Sequence, residues 1–582
     1  MKITKRNKSK SNADIILERT RRIFIASLLD CIYLSFIVEI NPKNEPDPVE
    51  GEGGPFSQER EVERVTFDDI LLKLGEFGLE QKLVYLMFSL PYIMSAMQLH
   101  GWVFVGSEMP HRCRLPGEVG WDNVSFFYDN NTAFESCSRT VENETSECVD
   151  GWIYDTTQVG DSVVADWDLV CNKGYLRASV AACQMVGYMM GAFFLGTLAD
   201  KLGRKPTFLI SNTMMAVGGV VAAVAPEYFT FVAGRIIVGF AIAGIENTCF
   251  EMNIELVGPS MRTLAGIICW FFETGGLLAA LGFAFIVPDN WRLLQTLYSV
   301  PAFLFLAYIW VAPESIRWLV ANGKNDEARR LIKRAARRNG VPPIKESQLL
   351  RMEETIRDES SGRTYTILDL FRGPNLRYKT MILLLCWLTI ASLYYVLLLD
   401  QSELSDNKYI GFLITASVQI PGYVYVICTL ERPMFGRKRS MCMFLILSGI
   451  TLFTYPFVPE SYPAIRITLS VIGRFAANCS YTILNLYTAE LFPTVVRGVG
   501  SGIAVVFSRI GTILAPYILL LGLYSPLIFG CAAFLTGLCA LMLPETLGTP
   551  MPETLEDGER SPLVLPCIQM ADEREDLPLK ER

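Results

Sequence analysis

The chain has 582 residues, of which 51% are apolar and only 19% are charged, and its formal net charge is −8. A soluble protein of this length carries about 25% charged residues and divides into several domains. The apolar residues instead come in blocks of roughly 20, the length that a bilayer-spanning helix needs. The composition therefore excludes a soluble globular protein and predicts a membrane protein that crosses the bilayer many times.

The first 65 residues are predicted to form a separate extension on the cytoplasmic side. Residues 23–40 are apolar, but the segment is short and contains Asp30 and Glu39, and three arginines precede it. A signal peptide, a thirteenth span, an interfacial helix and a disordered extension all fit this pattern. Residues 41–64, rich in Pro, Gly and Glu, are typical of a linker.

Twelve apolar spans follow, and they divide the chain into two bundles. We expect an N-terminal six-helix bundle at 66–312, a cytoplasmic linker at 313–379, a C-terminal six-helix bundle at 380–545 and a mobile cytoplasmic tail at 546–582. The spans are predicted at 82–105, 174–199, 206–225, 228–257, 264–287, 293–312, 380–399, 409–430, 440–458, 464–488, 498–521 and 523–543.

The loop at 107–172, between spans 1 and 2, is predicted to be extracellular. It holds 13 Asp or Glu against 3 Lys or Arg, whereas 313–378 holds 14 Lys or Arg against 9 Asp or Glu, and basic loops stay cytoplasmic. Four cysteines predict two disulfides whose pairing stays open, and three Asn-x-Ser/Thr sequons predict glycosylation. These residues are Cys113, Cys137, Cys148 and Cys171 for the disulfides, and Asn123, Asn130 and Asn143 for the glycans.

Four pairs of short motifs recur between the two halves of the chain, in the same order and at offsets of 231–239 residues. They are Gly-Arg-Lys at 203–205 and 436–438, Gly-Arg at 234–235 and 473–474, Glu with Arg seven residues later at 255–262 and 490–497, and Pro-Glu-Ser/Thr at 313–315 and 544–546. This indicates a duplicated six-helix bundle, the layout of transporters whose two halves rock about a central site.

These motifs resemble the major facilitator superfamily and, within it, solute carrier family 22. Residues 196–205 are similar to the superfamily's loop signature; residues 313–319, 489–497 and the Cys-rich loop are similar to the family of organic cation, organic anion and carnitine transporters. The resemblance covers roughly residues 66–557. It implies an all-α membrane protein with twelve transmembrane helices in two pseudo-symmetric six-helix bundles, working by alternating access in the plasma membrane.

The sequence departs from the family pattern at two places. The second Gly-Arg loop is two residues longer than the first, which puts its gating contacts in question. Gln419 in span 8 stands where many relatives have Glu, which alters the expected charge of that span.

Ionisable residues inside the spans mark the candidate substrate site, because charge in a bilayer is costly. At about 1.5 Å per residue, Glu246 in span 4, Glu273 in span 5 and Arg509 in span 11 lie near the midplane, where this architecture binds substrate. The alternative is a Glu–Arg network that only holds helices together. Further residues expected to line the site, with helix packing as their alternative role, are Gln98, Trp270, Tyr394, Tyr395, Gln419, Tyr481 and Asn485.

A second set of charged residues is predicted to form cytoplasmic gates that bias inward and outward states. We expect Glu255 to act with Arg262, and Arg235 and Arg474 to pair with acids inside their own bundles. The gating set is Asp200, Gly203, Arg204, Glu255, Arg262, Glu490 and Arg497.

The charge of the central residues bears on the substrate. The place of Arg509 resembles a position that is Asp in typical cation carriers and Arg in anion and carnitine carriers, so Arg509 alone favours anions. Beside Glu246 and Glu273 it favours small organic cations or zwitterions, such as carnitine- or carcinine-like amines. An organic anion transporter and a transporter-fold sensor without net flux are the alternatives.

The expected partners are a small organic ion and the lipid bilayer, and a coupling ion is left open. No metal site, cofactor or nucleic-acid partner is predicted. An enzyme is not expected, because the chain has two histidines and lacks a phosphate-binding glycine loop, a metal-ligand cluster and a nucleophile motif.

The outer loop supplies a test of the topology. Replacing Asn123, Asn130 and Asn143 together by Gln should abolish the gel shift that endoglycosidase produces, because all three acceptors lie in one extracellular loop. An unchanged shift in the triple variant would contradict the topology.

Overall fold

The computed structural model describes residues 65–114, 132–134, 137–141, 144–156, 160–360, 365–400, 407–432, 435–459, 461–522, 524–549, 551–552 and 554–560. The extension at 1–64 and the sequons at Asn123, Asn130 and Asn143 lie outside these residues, so their location and glycosylation stay predictions. The described residues are mostly helical and belong to one compact unit.

Twelve helical segments stand where the twelve spans were predicted, and we number them as spans 1–12. Spans 1–6 are Leu79–His100 with Trp102–Val105, Gly174–Leu202, Arg204–Ala223, Tyr228–Glu255, Arg262–Ile286, and Trp291–Ser299 continued by Val300–Ala307 and Tyr308–Val311. Spans 7–12 are Pro374–Leu399, Lys408–Thr429, Arg437–Thr454 with Tyr455–Phe457, Pro463–Leu491, Arg497–Leu519 and Tyr524–Ala540.

Ten of these segments are long and apolar enough, by length and composition, to cross a membrane. Of the other two, span 12 has 17 residues, and span 10 has 29 but includes Arg466, Arg474 and Glu490. Large apolar side chains such as Phe285 and Leu304 are exposed on the outer surface of the bundles, as expected for contact with lipid.

Local sequence explains two features of the packing. Span 6 changes from an α-helix to a 3₁₀ helix at Val300–Ala307, whose second residue, Pro301, lacks the N–H that the α-helical pattern needs. Spans 2 and 4 pack closely through small residues: a Cβ atom at Gly187 would lie 2.2 Å from the carbonyl oxygen of Ile236.

Short helices on the side predicted to be cytoplasmic form a second apolar cluster next to the N-terminal bundle. The helix Phe67–Leu74 begins with a capping box between Thr66 and Asp69 and buries one face against Trp318, Leu319 and Ile332. The helices of this region are Phe67–Leu74, Ile316–Ala321, Asn325–Asn339 and Glu346–Ser360, and a further short helix, Asp369–Arg372, lies next to span 7. Arg334 and Arg338 from the third of them both contact Glu80 at the start of span 1.

The prediction of a mobile tail after residue 546 is wrong for its first part. The helix Leu555–Arg560 lies against the start of span 7, where the Glu559 carboxylate accepts the backbone N–H groups of Asn375 and Leu376 at 3.0 and 2.9 Å. A carboxylate at a helix N-terminus satisfies N–H groups that have no partner within the helix, and this contact fixes the tail.

The loop between spans 1 and 2, predicted to be extracellular, contains two small antiparallel sheets. One pairs β1 (His111–Cys113) with β5 (Trp152–Tyr154), and the other has the order β2 (Thr132–Phe134), β3 (Ser138–Val141), β4 (Glu144–Glu147). Short helices at Val163–Asp166 and Cys171–Lys173 lead into span 2. Two disulfides, Cys113–Cys148 and Cys137–Cys171, tie the sheets together and settle the pairing that the sequence leaves open.

This pairing gives a direct test. Proteolysis of the non-reduced protein should yield linked peptides containing Cys113 with Cys148 and Cys137 with Cys171, because only these pairs have bonded sulfurs in the folded loop. Mass spectrometry before and after reduction checks it, and a dominant Cys113–Cys137 peptide would contradict this arrangement.

Candidate functional site

Glu246, Glu273 and Arg509 meet between the two bundles, and a tyrosine that the sequence analysis did not single out connects two of them. The Arg509 guanidinium carbon lies 3.6 Å from the centre of the Tyr188 ring, a cation–π distance. The Tyr188 hydroxyl donates to Glu246 Oε2 at 2.6 Å. Arg509 in the C-terminal bundle is therefore linked to Glu246 in the N-terminal bundle through Tyr188 of span 2.

Glu273 faces the same space from span 5. Its Oε1 atom lies 3.4 Å from Nε2 of His100 in span 1, and both side chains are buried. The charge of Glu273 acts on both Glu246 and Arg509. We call Glu246, Glu273, Arg509, Tyr188 and His100 the central site.

Aromatic rings border the central site. Tyr481 stacks on Tyr394 with ring centres 5.1 Å apart, and it makes edge contacts with Trp270 at 5.8 Å and Trp387 at 5.9 Å. Since Trp270 belongs to span 5 and the other rings to spans 7 and 10, the cluster bridges the two bundles. Such faces attract organic cations.

A hydrogen-bond chain also crosses between the bundles. Thr274 in span 5 donates to Gln419 Oε1 at 2.8 Å, and Gln419 Nε2 donates to the Tyr394 hydroxyl at 2.9 Å. The Gln419 amide donates and accepts at once, which a Glu carboxylate at this position would not do. Asn485, also predicted to line the site, donates to the carbonyl of Tyr481 in its own helix.

Gln98 does not lie at the central site. It is buried inside the N-terminal bundle, where it donates to Ser299 at 2.8 Å and accepts from Gln295 at 3.0 Å. The prediction that Gln98 lines the substrate site is therefore wrong, and helix packing, the alternative, describes it. Tyr395 is buried near the extracellular end of span 7, and its hydroxyl has no hydrogen-bond partner within the described part of the chain.

The prediction that Arg235 pairs with an acid is also wrong. Its guanidinium donates to the carbonyl of Gln98 at 3.2 Å and to the Gln184 side chain, and it lies over the Trp102 ring. Neutral acceptors and an aromatic face thus hold this buried cation. Arg474 donates to the carbonyl of Asp400 at 2.6 Å.

Several contacts join the two bundles on the side predicted to be extracellular. Phe104 at the end of span 1 packs on Tyr409 and Phe412 of span 8, with ring centres 5.7 and 4.9 Å apart. Lys408 Nζ donates to Ser107 Oγ at 2.7 Å, and the Tyr517 hydroxyl of span 11 donates to Ser179 of span 2 at 3.0 Å.

On the side predicted to be cytoplasmic, Arg204 is the centre of a charged cluster in the N-terminal bundle. It lies 3.4 Å from Asp200, 3.4 Å from Glu251 and 3.3 Å from Glu255. Glu314 accepts the backbone N–H groups of Arg204 and Lys205 at the start of span 3. Burial raises the pKa of Glu314, while these hydrogen bonds act in the opposite direction.

Gly203 makes this contact possible. Its φ of +112° lies in the region that favours glycine, and a Cβ atom there would be 2.4 Å from the Glu314 carboxylate. Arg204, Asp200, Glu251, Glu255 and Glu314 form what we call the N-terminal cytoplasmic cluster.

The C-terminal bundle repeats the arrangement. Arg437 lies 3.2 Å from Glu490 and 3.4 Å from Glu431, and Glu545 accepts its backbone N–H at 2.7 Å. The two extra residues of the second loop therefore leave its contacts intact. This C-terminal cytoplasmic cluster, like the N-terminal one, lies within a single bundle.

Residues predicted to form the gates contact other partners in the structure than the sequence spacing indicates. Glu255 pairs with Arg204 and accepts from the Ser315 hydroxyl, whereas Arg262 binds Asp68 at 2.5 Å. Arg497 donates to Thr494 at 3.2 Å and to the Met551 sulfur at 3.6 Å. The sequence spacing of Glu and Arg recurs in both halves, but in the described part of the chain the partners of these residues lie elsewhere.

Sequence reasoning missed Tyr188, His100 and Glu314. The recurring Pro-Glu-Ser/Thr motif pointed to Glu314 and Glu545, since both follow the last span of a bundle. The scarcity of histidine pointed to His100, because one of only two histidines lies inside a span. Tyr188 had no comparable signal.

Comparison with known proteins agrees with this architecture. Residues 136–557 match the family described as "Sugar (and other) transporter". The fold is similar to that of the inward-open xylose transporter XylE from E. coli, with a TM-score of 0.58 at 17% identity, over 82% of this chain and 99% of that one.

Curated relatives are more similar in sequence. The Drosophila melanogaster "Organic cation transporter protein" is 38% identical over 522 residues, which cover 85% of this chain and 94% of the relative. Human "Organic anion transporter 3" is 33% identical over 536 residues, 88% of this chain and 98% of the relative.

Two duplicated six-helix bundles around a charged centre define a membrane transporter with the major facilitator fold. The predicted fold class is thereby confirmed. The chain belongs to solute carrier family 22 of the major facilitator superfamily. The relatives compared above are an organic cation transporter and an organic anion transporter. It is a multi-pass membrane protein that transports small organic molecules.

The N-terminal cytoplasmic cluster can be tested through Arg204. Arg204→Ala should slow transport roughly tenfold at matched surface abundance, because leaving partly buried carboxylates unpaired costs about 1–3 kcal/mol in the states that need the cluster. Initial uptake rates normalised to surface protein measure it. Lys201→Ala, which removes an exposed lysine from the same loop, is the control. Normal uptake by the Arg204 variant would rule out the assigned role.

Proposed function

We propose that the chain carries small organic cations or zwitterions with an ammonium group, such as carnitine- or carcinine-like amines, by alternating access. One observation carries the proposal: the central site holds two carboxylates, Glu246 and Glu273, against one guanidinium, Arg509. Charges about 4 Å apart attract by about 4 kcal/mol at an effective dielectric constant near 20, several times more than in water. An ammonium group at this site therefore gains a large share of its binding energy there.

The two carboxylates have different roles in this proposal. Glu246 is already occupied, since it accepts from Tyr188, whose ring holds Arg509. Glu273 contacts His100, and an unprotonated histidine carries no charge that would neutralise the carboxylate. Glu273 is thus the carboxylate we assign to the substrate ammonium, with Tyr481 and Trp270 as its aromatic neighbours.

Arg509 supports the zwitterion part of the proposal. A substrate carboxylate placed near Arg509 would compete with the face of Tyr188, a weaker partner than a carboxylate. Glu273 can bind a positive group and Arg509 a negative group in the same space, which suits a substrate that carries both charges.

Two alternatives keep some support. Arg509 and the similarity to organic anion transporter 3 favour anion transport. A sensor that binds ligand without net flux is the other, and it predicts saturable binding without accumulation.

Uptake into proteoliposomes separates these functions when the probes share one shape. Carnitine is the zwitterion, carnitinamide the permanent cation, and the carnitine analogue with carbon in place of nitrogen the anion. We expect uptake of the first two. Preference for the anion would overturn the proposal, and saturable binding of all probes without uptake would favour the sensor.

Substitutions at the central site test the residue assignment. Glu273→Gln should weaken apparent affinity for carnitinamide at least about tenfold and leave the anion less affected, because it removes the carboxylate facing the ammonium. Arg509→Asp should weaken carnitine far more than carnitinamide. Glu227→Gln, at the exposed outer end of span 4, is the control for the Glu-to-Gln change. An equal factor for all probes in both variants would make these charges structural supports.

A further inference from the structure

His100 forms an unusual contact for a residue inside a membrane protein. Its side chain is 2% exposed, and Nε2 lies 3.4 Å from Glu273 Oε1. Its other ring nitrogen, Nδ1, has no hydrogen-bond partner among the described residues. A histidine with a carboxylate on one side and no fixed partner on the other can gain or lose a proton without breaking another hydrogen bond.

The charged and titratable groups around His100 and Glu273 determine the effect of a proton bound there. The charged groups near the pair are Glu246 of span 4 and Arg509 of span 11. Arg235 of span 4 lies on another face of span 1, where it donates to the Gln98 carbonyl. The other titratable groups around it are the Cys249 thiol of span 4, ordinarily neutral at physiological pH, and phenols: Tyr92, Tyr188, Tyr298, Tyr394, Tyr395, Tyr423 and Tyr481 of spans 1, 2, 6, 7, 7, 8 and 10. Phenols are ordinarily neutral at physiological pH and add no charge.

The charge count leaves room for one more cation. When both carboxylates are ionised, Glu246 and Glu273 carry two negative charges against the one positive charge of Arg509, so the space they share lacks one positive charge. An uncompensated charge is expensive in a low-dielectric interior. Either a proton on His100 or a substrate ammonium can supply the missing charge, but both together would put two cations against Glu273.

We propose that His100 and Glu273 form a proton site and that the chain exchanges one proton for one organic cation. This rests on the proposed function and deepens it by assigning the coupling ion. The proton and the ammonium compete for Glu273. The unoccupied site, which has a net negative charge, is the costly state to carry across the membrane.

The exchange conserves atoms and charge. An arriving ammonium takes the place of imidazolium beside Glu273, and the Nε2–H proton leaves to water on the side to which the site is open. On the other side, a proton from water binds Nε2 and the ammonium leaves. One positive charge enters for each that departs, so a proton gradient drives the organic cation in the opposite direction.

The experiment uses the full chain in proteoliposomes that contain a pH-sensitive dye. The probe is carnitinamide, whose quaternary nitrogen cannot itself carry a proton. Wild-type protein should raise the internal pH as carnitinamide enters, with about one proton leaving per molecule, since that keeps the buried charge constant. Uptake should not respond to a potassium diffusion potential, because the exchange is electroneutral.

His100→Gln should uncouple the two ions. Glutamine cannot hold a proton, so carnitinamide would enter as a net charge, the internal pH would stay constant, and an inside-negative potential of about 100 mV would favour roughly 50-fold accumulation. A purely structural role for His100 would not create this voltage dependence. His111→Gln, which changes the chain's other histidine in the outer loop, should keep both wild-type properties.

The outcomes separate the two proposals. Carnitinamide uptake by wild-type protein without a pH change, or with voltage dependence, overturns proton exchange and leaves the proposed function standing. Absence of carnitinamide uptake overturns the proposed function itself. Proton release that persists in His100→Gln overturns the assignment to His100. If that variant does not reach the membrane, His100→Asn and the wild-type voltage measurement decide in the same way.

Discussion

A net charge buried between two helix bundles has to be compensated, and the centre of this protein is organised around that requirement. Glu246, Glu273 and Arg509 approach one another across the bundle interface, where Tyr188 lies between Arg509 and Glu246 and His100 contacts Glu273. Direct Glu–Arg contacts would neutralise part of the site permanently. The contact through neutral Tyr188 leaves the site able to take up a cation, and aromatic and amide contacts join the two halves around it.

The charged and aromatic contacts of each bundle differ between its two ends. At the end predicted to be cytoplasmic, the charged cluster centred on Arg204 lies within the N-terminal bundle, and the cluster centred on Arg437 lies within the C-terminal bundle. At the extracellular end, Phe104 and Lys408 reach across to the other bundle. Strong contacts within each bundle and separable contacts between bundles are what rocking about a central site requires.

Sequence reasoning could predict the spans, the duplication and the depth of the central charges, because these follow from hydropathy, repeat offsets and helical rise. It could not predict how each helix is rotated about its axis. That rotation turned Gln98 into the bundle and brought Tyr188 beside Glu246. Partners far apart in sequence were also hidden: Arg262 binds Asp68, 194 residues away, instead of the nearby Glu255.

The helix Leu555–Arg560 has a practical consequence for anyone who modifies the carboxyl terminus. Its Glu559 side chain completes the first turn of span 7, and Lys379 donates to the carbonyl of Gly558 at 2.8 Å. Gly558 and Glu559 are therefore part of the C-terminal bundle's assembly, although they lie beyond the last span. A truncation before residue 555 exposes unsatisfied N–H groups at the foot of span 7, whereas a reporter protein joined after Arg560 leaves the contact in place.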